Sequence, residues 1–292
     1  MDRLFVGCVI LVLSSSLIHA QEAASSDVSA PAATSESAAS PVADTSPVAD
    51  TSPSIATPIS SSVLSAPPER AVSWRKLPMN IIQDQKTIWL SPRKLTEKRY
   101  LIPTAALLGV TAGLIALDPK EGHYFRNSHT YDTFNNIFDG TITGRSLAIF
   151  PFALYGAGFI GKDTKMKSTA LLVGESIVDS EILTTVVKAI DRRKRPQDLK
   201  VNGDFTNTWF SNSAGGVQST GSFPSGHTIA AFSTATIIAR RYGNHKWVPW
   251  VAYGTAAAIG FSRMTLSSHW GSDVFVGGVL GYSISRFAVL HQ

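Results

Sequence analysis

The sequence predicts an all-α fold, a helical bundle of about six core helices. Long apolar runs rich in alanine and leucine recur after residue 100 of the 292-residue chain. Strict alternation of apolar and polar residues, which marks half-buried strands, is scarce. Prolines fall near the starts of three runs, where a helix accepts proline in its first turn. These observations favour helices packed on helices around one core.

Six runs carry the expected helices. They are Leu101–Leu117, Leu147–Ile160, Thr169–Ile190, Thr228–Arg240, Trp247–Phe261 and Val274–Leu290, with the prolines at Pro103, Pro151 and Pro249. Two polar stretches between runs, residues 118–145 and 197–222, are predicted to be loops facing a functional site, since long loops in compact domains are often functional. In the second, we expect Trp209 or Phe210 to contact a leaving group.

The N-terminal region divides into two segments before the helical domain. Residues 1–20 have an early Arg3, an apolar stretch and a small Ala20, as in a secretory signal peptide. Residues 21–72 are rich in Ala, Ser, Thr and Pro, which predicts a disordered linker. Residues 73–292 then form the domain. Cys8 is the only cysteine, so a chain cut near Ala20 has no thiol or disulfide chemistry.

Charge is divided unevenly along the chain. Residues 21–72 contain six acids and one base, a net of −5, residues 1–20 are neutral, and the whole chain is +5, so the domain carries about +10. A basic domain favours anionic substrates or anionic surfaces. The chain has no recognisable nucleic-acid-binding motif, so we expect no nucleic-acid partner.

Membrane insertion is considered from run length and topology. Leu101–Leu117 barely reaches the roughly 20 apolar residues that a spanning helix needs, and Thr169–Ile190 contains three acids. If residues 21–100 are exported, three spans before Lys188 would leave the polar motifs in the cytoplasm. We therefore expect a periplasmic or envelope-associated domain, with contact to a membrane surface possible and integral insertion in the inner membrane less favoured.

Histidines, a carboxylate and fixed cations form three clusters in the C-terminal half. Lys188 precedes Arg195-Pro196 by seven positions, Ser225-Gly226-His227 follows Pro224, and Ser262-Arg263 precedes His269 and Asp273. His269 and Asp273 are four positions apart, so we expect them on one face of a helix. Asp273 can then fix the tautomer of His269 and make it a nucleophile, while Lys188, Arg195 and Arg263 balance phosphate charge. Ser225 and Gly226 open a helix, whose free N–H groups favour an anion.

The remaining basic residues are not assigned to the site, and a metal ion beside the histidines is not expected. Arg192, Arg193 and Lys194 lie off these clusters and are interpreted as a solvated face or a lipid-headgroup contact. Neighbouring cations would oppose a divalent ion beside the histidines, so we expect no metal and no cofactor. His227, beside the phosphate, would act as an acid toward the departing oxygen.

The three clusters, in this order and spacing, resemble the type 2 phosphatidic acid phosphatase superfamily. That superfamily includes class A acid phosphatases, lipid phosphate phosphatases and vanadium haloperoxidases. The resemblance implies the helical fold, phosphorylation of His269, orientation by Asp273, and phosphate binding by Lys188, Arg195, Ser225, Gly226 and Arg263. It implies an exported, metal-independent phosphatase acting on small phosphate esters or lipid phosphates and diphosphates.

Other functions stay open at this point. A vanadium haloperoxidase would use the same oxyanion pocket, and an envelope module could bind anionic lipid without turnover. A serine hydrolase built on Ser225, His269 and Asp273 is disfavoured, because Ser225 lacks the Gly-x-Ser-x-Gly turn and the cations would have no use. The sequence indicates neither the physiological substrate nor the oligomeric state.

Overall fold

The computed structural model describes Arg70, residues 72–211 and residues 221–291, and the regular elements in these ranges are all helical. The α-helices are α1 Leu77–Leu90, α2 Lys98–Arg126, α3 Asp132–Ile137, α4 Gly140–Ile160, α5 Thr164–Asp191, α6 Gly226–Arg241, α7 Trp247–Thr265 and α8 Gly271–Ser283. Short 3₁₀ segments occupy Ser91–Thr96 and Pro196–Asp198, and a π-helical segment, Ile284–Val289, follows α8. The predicted all-α fold is confirmed.

Each of the six predicted runs lies in a helix, but two boundaries and one loop were wrong. Residues 118–145, expected as a loop, are largely helical, because α2 continues to Arg126 and α3 and the first turns of α4 follow. Pro103 and Pro151 lie inside α2 and α4, beyond the first turn, whereas Pro249 does lie in the first turn of α7. Helix α1 was not predicted. The proposed signal peptide and nearly all of the proposed linker lie outside the described residues.

The core lies where α5 and α6 meet their neighbours. Helix α6 packs against α5, α7 and α8, and α4 packs against α5 and touches α6. Leu172, Ile229 and Ile237 are fully buried at this junction. Bulky apolar residues here remove surface from water, which is the main favourable term in folding.

Helix α8 approaches α6 unusually closely through glycine. A Cβ atom at Gly281 would lie 2.3 Å from the carbonyl oxygen of Ile229, and one at Gly277 would lie 3.0 Å from that of Ser225. Side chains at these positions would push the helices apart. The contact therefore holds the N-terminal turn of α6 against the middle and the C-terminal part of α8. The first turns of both helices carry site residues.

Helix α1 is fixed to α5 by buried charge. Arg70 pairs with Asp84 and with Glu175, at 2.9 and 3.0 Å, and also donates to the carbonyl of Val289. Gln85 of α1 donates to Asp179 of α5. Arg70 falls within the segment interpreted as linker, so contacts to the domain begin before residue 73.

Large apolar side chains cover much of the outer surface. Ile102, Phe152, Ile160 and Trp250 are each at least 68% exposed. Within the described ranges, α2 is the helix that is long and apolar enough to cross a membrane, and its apolar window is 0% buried. The run Leu101–Leu117 is shorter than this helix, because α2 extends beyond it in both directions.

Candidate active site

A cleft of about 1590 Å³ collects the predicted site residues from separate parts of the chain. Five of those residues line it: Lys188 from the end of α5, Arg195 from the following loop, His227 from the first turn of α6, Arg263 from the last turn of α7 and His269 from the loop before α8. Gly226 also lines the cleft, at the first position of α6. The motifs therefore meet at one end of the bundle.

A hydrogen bond from Nδ1 holds the ring of His269 in one orientation. Nδ1 donates to the carbonyl of Ser222 at 2.7 Å and lies 3.6 Å from a carboxylate oxygen of Asp273. A proton on Nδ1 leaves the lone pair on Nε2. Burial lowers the pKa of His269 to about 4, so the imidazole is neutral at physiological pH. A neutral, oriented imidazole is the form required of a nucleophile.

His269 and Asp273 are brought together in a different way from the one that their four-residue spacing predicted. His269 and Asp273 were expected on one helical face, but α8 begins at Gly271, after the histidine. Asp273 instead lies in the first turn, where its carboxylate accepts from the backbone N–H of Trp270 at 3.0 Å. Helix capping thus places the carboxylate beneath a histidine that itself lies in the loop.

Asp273 is completely buried and strongly paired. Its carboxylate accepts from Arg193 Nη1 at 2.6 Å and from the hydroxyl of Ser222. Burial alone would raise its pKa, but His269 and the charge of Arg193 outweigh it, so the pKa of Asp273 lies below its usual range. The carboxylate stays ionised and can stabilise a positively charged His269.

Arg193 is a site residue that the sequence interpretation missed. It was interpreted as part of a solvated or headgroup-binding face, but it is 2% exposed. One guanidinium nitrogen contacts Asp273 and the other contacts Asp118 of α2, each at 2.6 Å. The guanidinium also lies 4.2 Å from the ring centre of Trp209. The sequence did not distinguish Arg193 from the other three basic residues of the run in which it lies. In a loop, no periodicity indicates which side chain points inward.

His227 stands across the cleft, on the first turn of α6. Its Nε2 donates to the carbonyl of Gly140 at 3.0 Å. Helix α4 passes so near that a Cβ at Gly144 would lie 3.0 Å from this nitrogen. Burial, with a contribution from Arg263, lowers the pKa of His227 to about 4. An anion in the cleft would oppose that effect and favour the protonated form.

Three cations, Lys188, Arg195 and Arg263, line the cleft together with the acidic residues Asp139 and Glu181. Lys188 is 7% exposed, and burial followed by the charge of Arg195 lowers its pKa to about 8. The Nε atom of Arg195 is buried without a hydrogen-bond partner among the described residues. Arg263 donates to the carbonyl of Phe138, and burial lowers its pKa to about 10. Clustered, incompletely paired cations of this kind favour an anionic ligand.

Two other predicted contacts are placed differently. Ser225 is fully buried at the N-cap position of α6, its hydroxyl accepts from Thr228 at 2.8 Å, and it is not among the residues lining the cleft.

Trp209 packs on Arg193 and on Phe223, and Phe210 is 65% exposed. Neither aromatic residue lines the cleft, so the structure does not support their expected contact with a leaving group.

The acidic group that could hold a metal ion, within the described ranges, lies away from this cleft. It consists of Asp84, Glu175 and Asp179, where Arg70 already supplies positive charge. Beside the histidines, Lys188, Arg195 and Arg263 occupy the places where a metal would need acidic ligands. The donor set of the cleft therefore fits an oxyanion better than a divalent cation.

Comparison with known proteins agrees with the site. Residues 169–292, which contain all three motifs, match the model of the PAP2 superfamily. A protein named lipid A 1-phosphatase, from Porphyromonas gingivalis, is 40% identical over 66 residues, which are 22% of this chain and 15% of that protein. No solved structure matches. The predicted resemblance is confirmed over residues 169–292.

Proposed function

We propose that the PAP2 superfamily region, residues 169–292, works with α4 as a metal-independent phosphatase that hydrolyses lipid phosphates through phosphohistidine. The observation that carries the proposal is the environment of His269. Its Nδ1 is engaged by the Ser222 carbonyl above the buried Asp273, and its ring lines a cleft with three cations.

The first chemical step follows from these positions. Lys188, Arg195 and Arg263 hold the phosphoryl oxygens, and the Nε2 lone pair of His269 attacks phosphorus. As the N–P bond forms, the P–O bond to the leaving group breaks, and the leaving oxygen takes a proton from His227. Charge in such a transition state spreads over the equatorial oxygens, so positioned cations supply much of the rate enhancement.

The second step releases phosphate. The now neutral His227 removes a proton from a water molecule, whose oxygen attacks phosphorus while the N–P bond breaks. The electron pair returns to His269, and inorganic phosphate leaves. Throughout, Asp273 stays ionised and offsets the positive charge that His269 carries as phosphohistidine.

A lipid substrate and an exported location are part of this proposal. The name of the Porphyromonas gingivalis protein refers to a lipid phosphate, and apolar side chains cover the surface of this bundle. The signal-like residues 1–20 support export, which would place the cleft in the periplasm or envelope.

The test is phosphate release by the purified full chain, without added metal and with a chelator. Phosphatidate in mixed micelles and a water-soluble aryl phosphate serve as substrates, and His269→Ala and Asp273→Asn are compared with the wild type. We expect chelator-resistant hydrolysis, inhibition by vanadate, and loss in His269→Ala. Phosphate release that survives His269→Ala would sink the proposal, as would halide oxidation with vanadate and peroxide but no hydrolysis.

A further inference from the structure

A second cleft, a narrow one of about 140 Å³, lies between α4, α6 and α7. Its walls are almost entirely apolar and include Leu147, Phe150, Ala235, Ile238, Val251 and Ala252. Nothing in the proposed phosphoryl transfer uses these residues. An open apolar groove of this size keeps hydrocarbon surface in contact with solvent, and an apolar ligand would remove that surface from water.

The apolar cleft adjoins the phosphate cleft. Leu147 of α4 lines both, and on α6 Ala230 faces the phosphate cleft while Ala231 faces the apolar one. Phe138 lines the apolar cleft, and its carbonyl accepts from Arg263. A molecule whose phosphate lies among the cations could therefore extend directly into the apolar cleft.

Small residues keep this groove open along its length. Ala231, Ala235 and Ala256 are buried between α6 and α7 and line it. Thr234 adds a polar point in the wall, and its hydroxyl oxygen is buried without a hydrogen-bond partner among the described residues. An ester or hydroxyl group on a bound hydrocarbon chain would satisfy that atom.

The rim of the apolar cleft carries exposed apolar side chains. Trp247 and Val251 line it and are 45% and 39% exposed, and neighbouring Trp250 is 83% exposed. Tryptophan is favoured where protein meets the membrane interface, because its ring is apolar and its N–H is polar. A chain longer than the groove would thus pass from one apolar environment into another.

We propose that this cleft binds an acyl chain of the phosphorylated lipid whose phosphate occupies the cleft around His269. The assignment rests on the proposed phosphatase function and adds where the hydrocarbon lies. Its occupant is the substrate's own chain, because the groove adjoins the phosphate cleft through Leu147. The groove then makes the enzyme selective for acylated phosphates over small polar esters.

The first measurement uses the wild-type full chain and needs no mutation. Monomeric alkyl phosphates, from butyl to decyl, are tested as competitive inhibitors of aryl phosphate hydrolysis. Each methylene group that leaves water should strengthen binding by roughly fourfold. We expect the inhibition constant to fall steadily with chain length; a constant independent of chain length would overturn the assignment while leaving the phosphatase function intact.

The second measurement locates the chain with two substitutions on the same helix. Ala252→Phe fills the groove, whereas Ala257→Phe adds the same ring at an exposed α7 position that does not line it. We expect Ala252→Phe to remove most of the chain-length effect on inhibition, since each lost methylene contact costs roughly fourfold. Ala257→Phe should behave as wild type.

Two results would contradict the location. Ala252→Phe could keep the full chain-length dependence, or Ala257→Phe could lose as much of it. Absence of phosphate release from every ester by the wild type would instead overturn the proposed function, and this assignment with it. If Ala252→Phe does not fold, the chain-length series on the wild type still tests whether the protein binds the hydrocarbon chain.

Discussion

At the scale of single residues, the site depends on which side chains are buried and paired. His269 and Asp273 were predicted from sequence as a nucleophile and its orienting carboxylate, and the structure places them 3.6 Å apart. The partners that fix them, Ser222 and Arg193, were not predicted. Both lie in loop sequence, where no periodicity shows which side chain points inward.

Arg193 should matter for turnover although it does not line the cleft. Arg193→Gln would leave Asp273 and Asp118 buried without their cation, and removing one partner of a buried pair typically costs about 3–5 kcal/mol of stability. In folded protein we expect kcat to fall by at least about tenfold, with KM changed by less than about threefold, because phosphate contacts remain.

Arg192→Gln is the matched control, since it removes the same charge from the neighbouring position. Steady-state kinetics on both variants, with a thermal melt to confirm folding, would check this prediction. Equal losses in the two variants would mean that general positive charge matters there, and that the contact with Asp273 does not.

The pH dependence should separate the two histidines. In the substrate-free structure burial lowers the pKa of both His227 and His269 to about 4. Below that pH the nucleophile is protonated, so activity should fall. Bound phosphate favours protonated His227, so its pKa rises in the complex, and the alkaline limb of kcat should lie at higher pH than that of kcat/KM.

This prediction is checked by measuring kcat and kcat/KM as functions of pH for the wild type and for His227→Gln. The wild type should give bell-shaped curves, and His227→Gln should lose the alkaline limb along with most of the rate. Coincident alkaline limbs for kcat and kcat/KM would contradict the expected effect of phosphate on His227.

At the scale of helices, the sequence predicted which segments are helical and mislocated several ends. The six apolar runs lie in α2, in α4 to α7, and in α8 with the π-helical segment that follows it. In α4 to α8 the run buries one face of the helix, whereas the apolar window of α2 stays exposed. Helix α1 was missed, since its contacts are polar: Asn80 and Asp84 are its buried residues. Such a helix is stabilised by Arg70, Glu175 and Asp179, which no local pattern connects.

The glycines of α8 set how closely it approaches α6. Gly281→Ala would place a methyl group 2.3 Å from the Ile229 carbonyl oxygen, and backbone cannot move aside easily. Overpacking of this kind costs about 1–3 kcal/mol, so we expect a lower melting temperature in detergent. It should also lower activity, because α6 and α8 carry His227 and Asp273.

Gly109→Ala on α2 provides the comparison. A Cβ there has nothing within 4 Å, and alanine is a better helix former than glycine by about 1 kcal/mol. Its melting temperature should be unchanged or slightly higher. If Gly281→Ala melted at the wild-type temperature, the close contact between α6 and α8 would be without energetic consequence.

At the scale of the whole molecule, burial separates a polar end from an apolar flank. The cations and histidines gather at one end of the bundle, while Ile102, Phe152 and Trp250 expose large apolar surfaces. The sequence favoured a soluble or peripheral domain, because only one run came near spanning length. It could not show that the apolar face of α2 would be left unburied.

We therefore expect the full chain to remain in membranes. After expression with its own N-terminus, membranes are washed with alkaline carbonate and then with high salt, and the pellet and supernatant are compared. Apolar contact resists both treatments, whereas electrostatic attachment of a basic domain is weakened by salt. Quantitative release of the protein into the wash would contradict attachment to the membrane through the exposed apolar surface of the bundle.

The central claim is that His269 carries the phosphoryl group, and rapid quenching tests it most directly. A substrate labelled on its phosphate is mixed with enzyme, quenched within milliseconds in alkali, and digested for mapping. We predict an alkali-stable, acid-labile phosphohistidine at His269, which accumulates in His227→Gln when given an ester with an acidic leaving group, because water activation is impaired. Label on Ser225, on another residue, or on none during active turnover would contradict the account.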